Sequence, residues 1–354
     1  MARRLRRSSG PLDLRSQAIL RAVIEEYVTS ALPVGSQALV ERYRLGVSSA
    51  TVRAVLAELE AAGMLTHPHT SAGRVPTEHG YRYYVESIVD TVSLPAVEQL
   101  MIRHQFGQVE YASEHWFRLA ATTLASLTRA AGLATPAKPT AAHLRHLDLV
   151  SISDRLASLI LVLREGALRQ VLVTLDEVAD QDQLSVIAAR LNETLGGLTA
   201  ERAELALAAL PTDDPVTEVL HRLGERVVRA LHEFDGAAIE ELFSDGLLNV
   251  MAAPEFAQSE KLRRVFAALE DRAYLSRLIG AVAGSGRICI YIGTENSAEE
   301  MADVSLVLAP YGRPGRAVGV VGVLGPTRMA YPQAIGTVRF VSGLMNELVD
   351  HLYA

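Results

Sequence analysis

Apolar residues recur at helical spacing in three short segments near the amino terminus. In the first segment, residues 14–30, the apolar side chains fall at i, i+3 and i+4 and therefore share one face of a helix. A second segment begins at Ser36 and ends before Gly46, and a third is capped by Ser48 or Ser49. Two helices joined by a turn that contains glycine predict a helix-turn-helix.

The pattern changes to that of a loop between Thr66 and Thr77. This stretch is rich in Pro, Gly, Ser, Thr and His and has no apolar periodicity. Its flanks, Met64–Leu65 and Val75, are short apolar segments that can form two small strands, and a helix restarts over residues 77–85. The order of recognition helix, hairpin and helix predicts a winged helix-turn-helix.

The other three quarters of the chain alternate between helical and strand-like patterns. Apolar runs between residues 144 and 174 read as strands of one sheet, and runs of the same character return between residues 287 and 326. Helical patterns fill the rest: residues 94–133, 184–195, 200–250, 261–278 and 334–352. Strands, then helices, then similar strands favour one α+β domain interrupted by a helical insertion, with two separate α/β domains as the alternative.

Charge is distributed unevenly along the chain. The formal net charge of -7 argues at first against nucleic acid as a partner. Residues 1–90, however, contain eleven arginines, no lysine and nine acidic residues, a formal charge of +2, so the remainder carries -9. Four of these arginines lie in the leader Arg3–Arg7. A slightly basic amino-terminal segment followed by an acidic remainder favours a DNA-binding domain attached to a part that does not bind DNA.

The single cysteine and the lack of long apolar runs narrow the class of protein. Cys289 alone excludes an intramolecular disulfide and a cysteine-based zinc site, and the run around it favours a buried strand. No apolar stretch approaches the ~18–20 residues needed to span a bilayer. The basic leader is followed by Pro11 and Asp13, where a signal peptide needs its apolar core. We expect a cytoplasmic protein with no membrane partner.

The N-terminal residues of a recognition helix supply the side chains that read bases in the major groove. Hydroxyl groups and one arginine suit this role in the third helix: Ser48, Ser49, Thr51 and Arg53. Helix capping is an alternative role for the two serines, and an ordinary surface position is the alternative for the arginine.

The hairpin offers short donors and positive charge for phosphate or the minor groove. The candidate residues are His69, Thr70, Ser71 and Arg74. Gly73 allows the backbone to approach closely. His67 and His69 have no carboxylate or cysteine nearby in the sequence to complete a metal shell, so we expect no metal and no cofactor.

One recognition helix covers only a few base pairs. Specific affinity therefore needs two copies, one on each half-site, spaced by ~10 base pairs or a multiple. Because the chain offers one such helix, the sequence predicts a homodimer.

Four motifs carry a resemblance to a known family. VSSATVR, LE-x-x-G-x-L, PHTSAGR-x-PT and GYR-x-YV resemble the heat-inducible transcription repressor family HrcA, densely over residues 12–90 and more weakly to the end of the chain. The resemblance implies a winged-helix domain (1–90), a GAF-like α/β domain (91–198 and 257–354) and an inserted helical dimerising domain (199–256). It also implies a homodimer that represses chaperone genes at an inverted-repeat operator called CIRCE. A GroEL-type chaperonin would maintain its active fold, so that repression falls when heat diverts the chaperonin.

One departure from the family and two rival functions remain at this point. Family members usually carry Asn and then Asp or Glu after the helix arginine, where this chain has Ala54 and Val55.

A repressor that binds a small molecule in the GAF-like domain is the first alternative. An enzyme is the second, but the sequence has no nucleophile elbow, P-loop or metal shell, so we expect none.

Overall fold

The computed structural model describes most of the chain and divides it into two compact units. The first unit is Met1–Pro136, Glu241–Tyr311 and Gly319–Leu348, and the second is Ala137–Glu240, Gly312–Val318 and Val349–Ala354. The described residues are 12–68, 73–88, 90–109, 113–139, 141–164, 168–211, 215–236, 241–256, 259–313 and 317–352. The leader Arg3–Arg7 and the hairpin candidates His69, Thr70 and Ser71 lie outside these residues.

Helices and strands together confirm the predicted α+β class. The helices are α1 (Leu14–Ser30), α2 (Ser36–Arg42), α3 (Ser49–Ala61), α4 (Glu78–Ile88), α5 (Ala96–Gly107), α6 (Ser113–Thr128), α7 (Gln181–Leu195), α8 (Ala200–Ala208), α9 (Pro215–Gly236), α10 (Leu247–Met251), α11 (Ser259–Glu270), α12 (Arg272–Ser285) and α13 (Tyr331–Leu352). The strands are β1 (Leu65–Thr66), β2 (Val75–Pro76), β3 (Ala131–Ala134), β4 (Lys138–Pro139), β5 (Leu144–Ser153), β6 (Leu156–Leu163), β7 (Leu168–Thr174), β8 (Phe243–Asp245), β9 (Cys289–Ile292), β10 (Val304–Arg313) and β11 (Ala317–Pro326).

Helices α1 to α4 and the antiparallel pair β1–β2 form the part of the first unit that we call the head. The predicted first helix, residues 14–30, coincides with α1. Asp13 begins it by accepting a hydrogen bond from the backbone nitrogen of Ser16 at 2.7 Å. The apolar stripe of α1 is buried, with Val23 fully inside.

Among the described residues, the main sheet has six strands: five lie side by side in the order β8–β3–β11–β10–β9, and the two-residue strand β4 also pairs with β11. Almost every residue of β11 is buried, so both of its faces are covered. A continuous apolar run of this kind is typical of a central strand, whereas a strand with one solvent-exposed face has alternating apolar and polar residues. We call this sheet and the helices of the first unit that follow the head the α/β core.

The second unit is built on the antiparallel sheet β5–β6–β7. One face is leucine-rich and is buried with residues of α7, α8 and α9 in one hydrophobic cluster. Side chains of α7 also cover the outer edge of β5. Asn192 bonds both backbone groups of Leu147 at 2.8 Å, and the Gln181 amide bonds the Leu149 oxygen and the Ser151 nitrogen at 2.8 Å. These bonds close an edge that would otherwise be open to pairing.

The predicted domain boundaries do not coincide with this division. The sequence places residues 91–198 in the α/β domain and begins the insertion at residue 199. In the structure β5, β6 and β7 share one compact unit with α7, α8 and α9, and this unit begins at Ala137. The reason is that the inward leucines of these strands are buried by those helices rather than by the main sheet.

Three elements differ from the prediction. Residues 94–133 form two helices and a strand rather than one long helix. Residues 261–278 divide into α11 and α12 at Asp271, which caps α12 by accepting from the nitrogens of Ala273 and Tyr274 at 2.9 and 3.1 Å. The strand β8 was not predicted, because only three residues pair with β3.

Candidate nucleic-acid interface

Ser48 begins α3 as its cap. Its side chain accepts a hydrogen bond from the backbone nitrogen of Thr51 at 3.2 Å, and its oxygen lies 3.0 Å from the Thr51 hydroxyl oxygen. Ser48 therefore takes the capping role that the sequence left open as an alternative. Its hydroxyl remains exposed, as does Ser49 in the first turn.

The two faces of α3 differ sharply in burial. Val52, Leu56 and Leu59 are buried against the rest of the head, whereas Arg53 and Ala54 are exposed. The exposed side is the one that holds the predicted base-reading residues of the helix.

Val55 belongs to the buried face, at 7% exposure. The second position at which this chain departs from the family pattern therefore faces the interior. Of the two departures from the family pattern, only Ala54 alters the exposed face of α3.

Two exposed arginines border this face. Neither Arg53 nor Arg44 forms an ion pair with a carboxylate in the part of the chain that the structure describes. Arg44 lies between α2 and α3 and was missed as a candidate. A basic residue in the turn of the predicted helix-turn-helix was the signal that could have identified it. Free guanidinium groups at such a surface suit phosphate oxygens and base edges.

Glu60 joins the last turn of α3 to the residue that follows β1 and to the residue that precedes β2. One carboxylate oxygen lies 2.7 Å from Nε of Arg74, and the other contacts Nδ1 of His67. Arg74 was predicted to contact phosphate, but its guanidinium is already paired and 26% exposed. The fold thus supplies His67 with a carboxylate that is absent from its sequence neighbourhood.

The hairpin is also tied to the loop before α2. Val34 and Arg74 exchange two backbone hydrogen bonds, each of 2.8 Å. A Cβ atom at Gly73 would overlap the Val34 backbone. The close approach expected of Gly73 is therefore made to the protein itself. Together with the Glu60 contacts, this bridge fixes the base of the hairpin relative to α3.

Two tyrosines of α4 are buried in the interior of the first unit. Tyr81 and Tyr84 are 2% and 4% exposed, as expected for packing residues. Burial raises the pKa of Tyr84 to about 12. The hydroxyl of Tyr83 accepts a hydrogen bond from the Leu12 nitrogen at 3.2 Å.

Gly80 allows α4 to contact the start of the hairpin. A Cβ atom at Gly80 would overlap the carbonyl oxygen of Met64. We expect Gly80→Ala to lower the free energy of unfolding by about 1–3 kcal/mol, because the added methyl group must displace backbone. Gly280→Ala is the matched control, since that helical glycine has open space around its Cβ position. Chemical denaturation of both variants tests this, and an unchanged midpoint for Gly80→Ala would contradict the close packing.

Among the described residues, no group of three or more His, Cys, Asp or Glu side chains is arranged to hold a metal ion. No helix in the same part of the chain is long and apolar enough to cross a bilayer.

Comparison with known proteins identifies the family. Residues 114–335 match the family described as HrcA protein C terminal domain, which is more than half of the 354 residues. The chain belongs to the HrcA family. It is 44% identical over 341 residues to a relative from Roseiflexus castenholzii, covering 96% of this chain and 95% of that one. It is 41% identical over 357 residues to a relative from Chloroflexus aurantiacus, covering 98% and 96%.

Both HrcA relatives carry the name heat-inducible transcription repressor. The likeness to them spans the head as well as the matched family region, since it covers nearly the whole chain. A crystal structure of a protein described as hypothetical has a TM-score of 0.61 with 20% identity, covering 97% of this chain and 100% of that one. This last likeness supports the fold.

Proposed function

We propose that this chain is a transcriptional repressor of heat-shock chaperone genes that binds an inverted-repeat operator of the CIRCE type as a homodimer. The observation that carries the proposal is the exposed face of α3, where Arg53 has no carboxylate partner among the described residues, beside a hairpin whose base is fixed to the same helix. The names of the HrcA relatives, which describe heat-inducible transcription repressors, point to the same function.

In this proposal the head is a winged helix-turn-helix, and α3 lies in the major groove. Ser49, Thr51 and Arg53 read base edges, while Ser48 caps the helix and presents its hydroxyl to a phosphate. Arg44 contacts a phosphate at the start of α3. The tip residues His69, Thr70 and Ser71 contact phosphate or the minor groove.

Arg74 acts in this proposal by positioning the hairpin through Glu60. We expect Arg74→Gln and Glu60→Gln each to weaken operator binding by up to about fivefold, because partly exposed ion pairs contribute about 0.2–1 kcal/mol. Removal of a direct phosphate contact would instead lower the salt dependence of binding by about one unit of slope. Fluorescence anisotropy at several salt concentrations separates the two roles. Weaker binding with a reduced slope for Arg74→Gln alone would restore the original assignment to phosphate.

Dimerisation is assigned to the second unit, which we propose as the inserted dimerising domain, within a GAF-like domain formed by the α/β core. The face of the sheet β5–β6–β7 opposite its helices leaves large apolar side chains open. Val150, Leu168 and Leu172 are 42%, 65% and 61% exposed. Val150, Ser158 and Leu172 lie in one row across the three strands. A second copy of the same face is the occupant that matches it, because two half-sites require two heads.

The family membership also leads us to propose that a GroEL-type chaperonin maintains the active fold. Refolding of the denatured protein with and without chaperonin, followed by operator binding, tests this part. Equal recovery of active repressor in both samples would contradict it.

The function as a whole is tested by anisotropy titration with an inverted repeat, a single half-site and a scrambled duplex. We expect binding to the inverted repeat to be about 1000-fold tighter than to the scrambled duplex, the lower end for specific complexes. Equal affinity for all three duplexes would refute the proposal.

The described residues offer a candidate site for the alternative, a repressor that responds to a small molecule. An open groove of about 840 Å³ runs between α4, β9 and α13, with Arg82, Tyr291 and Asn346 among its lining residues. A metabolite that releases the operator without changing the folded fraction would favour this alternative.

A further inference from the structure

Two residues of α4, Glu78 and Arg82, lie one helical turn apart and hold the turn that follows β9. Arg82 donates from Nε to Glu295 at 2.8 Å, and its Nη2 contacts the other oxygen of the same carboxylate. Glu78 accepts hydrogen bonds from both the backbone nitrogen, at 3.1 Å, and the hydroxyl of Thr294. The side chains of Arg82 and Glu295 are only 26% and 32% exposed. We call this set of contacts between the head and the α/β core the latch.

The latch also covers the edge of the main sheet. Strand β9 is the last strand of that sheet and pairs on one side with β10. On its other side, Arg82 donates to the Ile290 oxygen at 2.7 Å, and Glu295 accepts from the Ile292 nitrogen at 2.9 Å. These two side chains take the hydrogen bonds that a further strand would make. The head is thereby joined to backbone atoms of the core as well as to side chains.

Gly293 allows α4 to lie close to the turn that follows β9. Its φ angle is +53°, in the left-handed region. A Cβ atom there would overlap the carboxylate of Glu78. Both the backbone conformation and the space favour glycine at the point where the head contacts the core.

A second contact holds α1. Arg328 of the core donates to the Val28 oxygen at 3.0 Å, and it is also paired with Glu255. Val28 lies in the last turn of α1, where helix carbonyls lack internal partners. The rings of Tyr81 and Tyr331 add a contact between α4 and α13, with centroids 5.7 Å apart. The head is therefore attached through two different helices.

We propose that the latch is a positioning device that holds α3 in one orientation to the α/β core and thereby sets the half-site spacing that the dimer accepts. The inference rests on the proposed function. None of the latch residues belongs to the proposed DNA-contact surface. A head attached at two helices cannot adjust to a changed spacing, whereas a head held only by its linker can. Breaking the latch therefore changes the choice among operators rather than the contacts to each half-site.

The test compares Arg82→Gln, Glu295→Gln and Glu78→Gln with a matched pair, Arg103→Gln and Glu347→Gln. Arg103 and Glu347 form an ion pair of 3.1 Å between α5 and α13, outside the head. Each full-length variant is titrated with a single half-site and with inverted repeats whose spacer is lengthened or shortened by one to several base pairs. Thermal unfolding is measured on the same samples.

We expect the latch variants to lose preference for the best spacer by at least about fivefold, the lower end of couplings between linked sites. Their half-site affinity should stay within about twofold of the original, and the control variants should keep the full preference.

An unchanged spacer preference in all three latch variants, with or without a lower melting temperature, overturns the proposal. An equal loss in the control variants overturns it as well. Failure of the unsubstituted protein to prefer any inverted repeat would instead refute the proposed function.

Discussion

Leu172→Asp is expected to make the protein monomeric and to weaken its binding to an inverted-repeat operator by about 100-fold or more. The side chain is 61% exposed on the outer face of β7, so aspartate there does not disturb the core of the second unit. It would place a charge on the proposed dimer contact, at the β7 end of the row formed by Val150, Ser158 and Leu172. Loss of the second head removes the gain in affinity that simultaneous binding at two half-sites provides, which is about 10²–10⁴-fold.

Leu205→Asp is the matched control for this variant. Leu205 lies on α8 of the same unit and is 72% exposed, but it does not belong to the outer face of the sheet. Sedimentation measures the oligomeric state, and titration with a half-site and a full operator measures the two affinities. We expect Leu172→Asp to bind the half-site normally and Leu205→Asp to resemble the original protein. A dimer that persists in Leu172→Asp and also in Leu168→Asp would rule out this face.

The head could be predicted well because its elements depend on local signals. The stripe of α1, the caps of α3 and the hairpin between β1 and β2 each arise from residues close together in the chain. The partition of the strands could not be predicted in the same way. The runs at 144–174 and 287–326 have the same apolar character, and only packing assigns the first to α7–α9 and the second to the main sheet. Pairing between distant segments leaves no periodic signal.

The candidate site likewise combines features that local sequence predicts with features that depend on contacts between distant residues. The exposed position of Arg53 follows from helical spacing. The sequence offered Ser48 or Ser49 as the cap of α3, and the structure selects Ser48. The pairing of Arg74 with Glu60 depends on how the hairpin folds back on α3, over fourteen residues of chain. Sequence reasoning therefore proposed Arg74 as a contact to phosphate or the minor groove without indicating that Glu60 would pair with it. The latch between Arg82 and Glu295 spans 213 residues. Arg82 belongs to the motif GYR-x-YV, but nothing in that motif points to Glu295 as its partner.

Arg53→Ala is expected to weaken operator binding by about 1–3 kcal/mol and to relax discrimination at one base position. Arg53 is exposed in the second turn of α3, and it has no carboxylate partner among the described residues. A guanidinium in that situation can form two hydrogen bonds with the O6 and N7 atoms of guanine. Alanine leaves those acceptors without a partner, so the loss should be large for the matching base and small for the other three.

Arg44→Ala serves as the comparison for this prediction. A contact to phosphate carries no sequence information, so this variant should weaken all duplexes nearly equally and lower the salt slope by about one. Titration of both variants against operators with single base changes in each half-site separates base reading from phosphate attraction. If Arg53→Ala leaves the affinity for the operator unchanged, α3 is not the helix that reads the bases. If it behaves as Arg44→Ala is expected to do, α3 approaches the duplex but reads its sequence through other side chains, of which Ser49 and Thr51 are the next to replace.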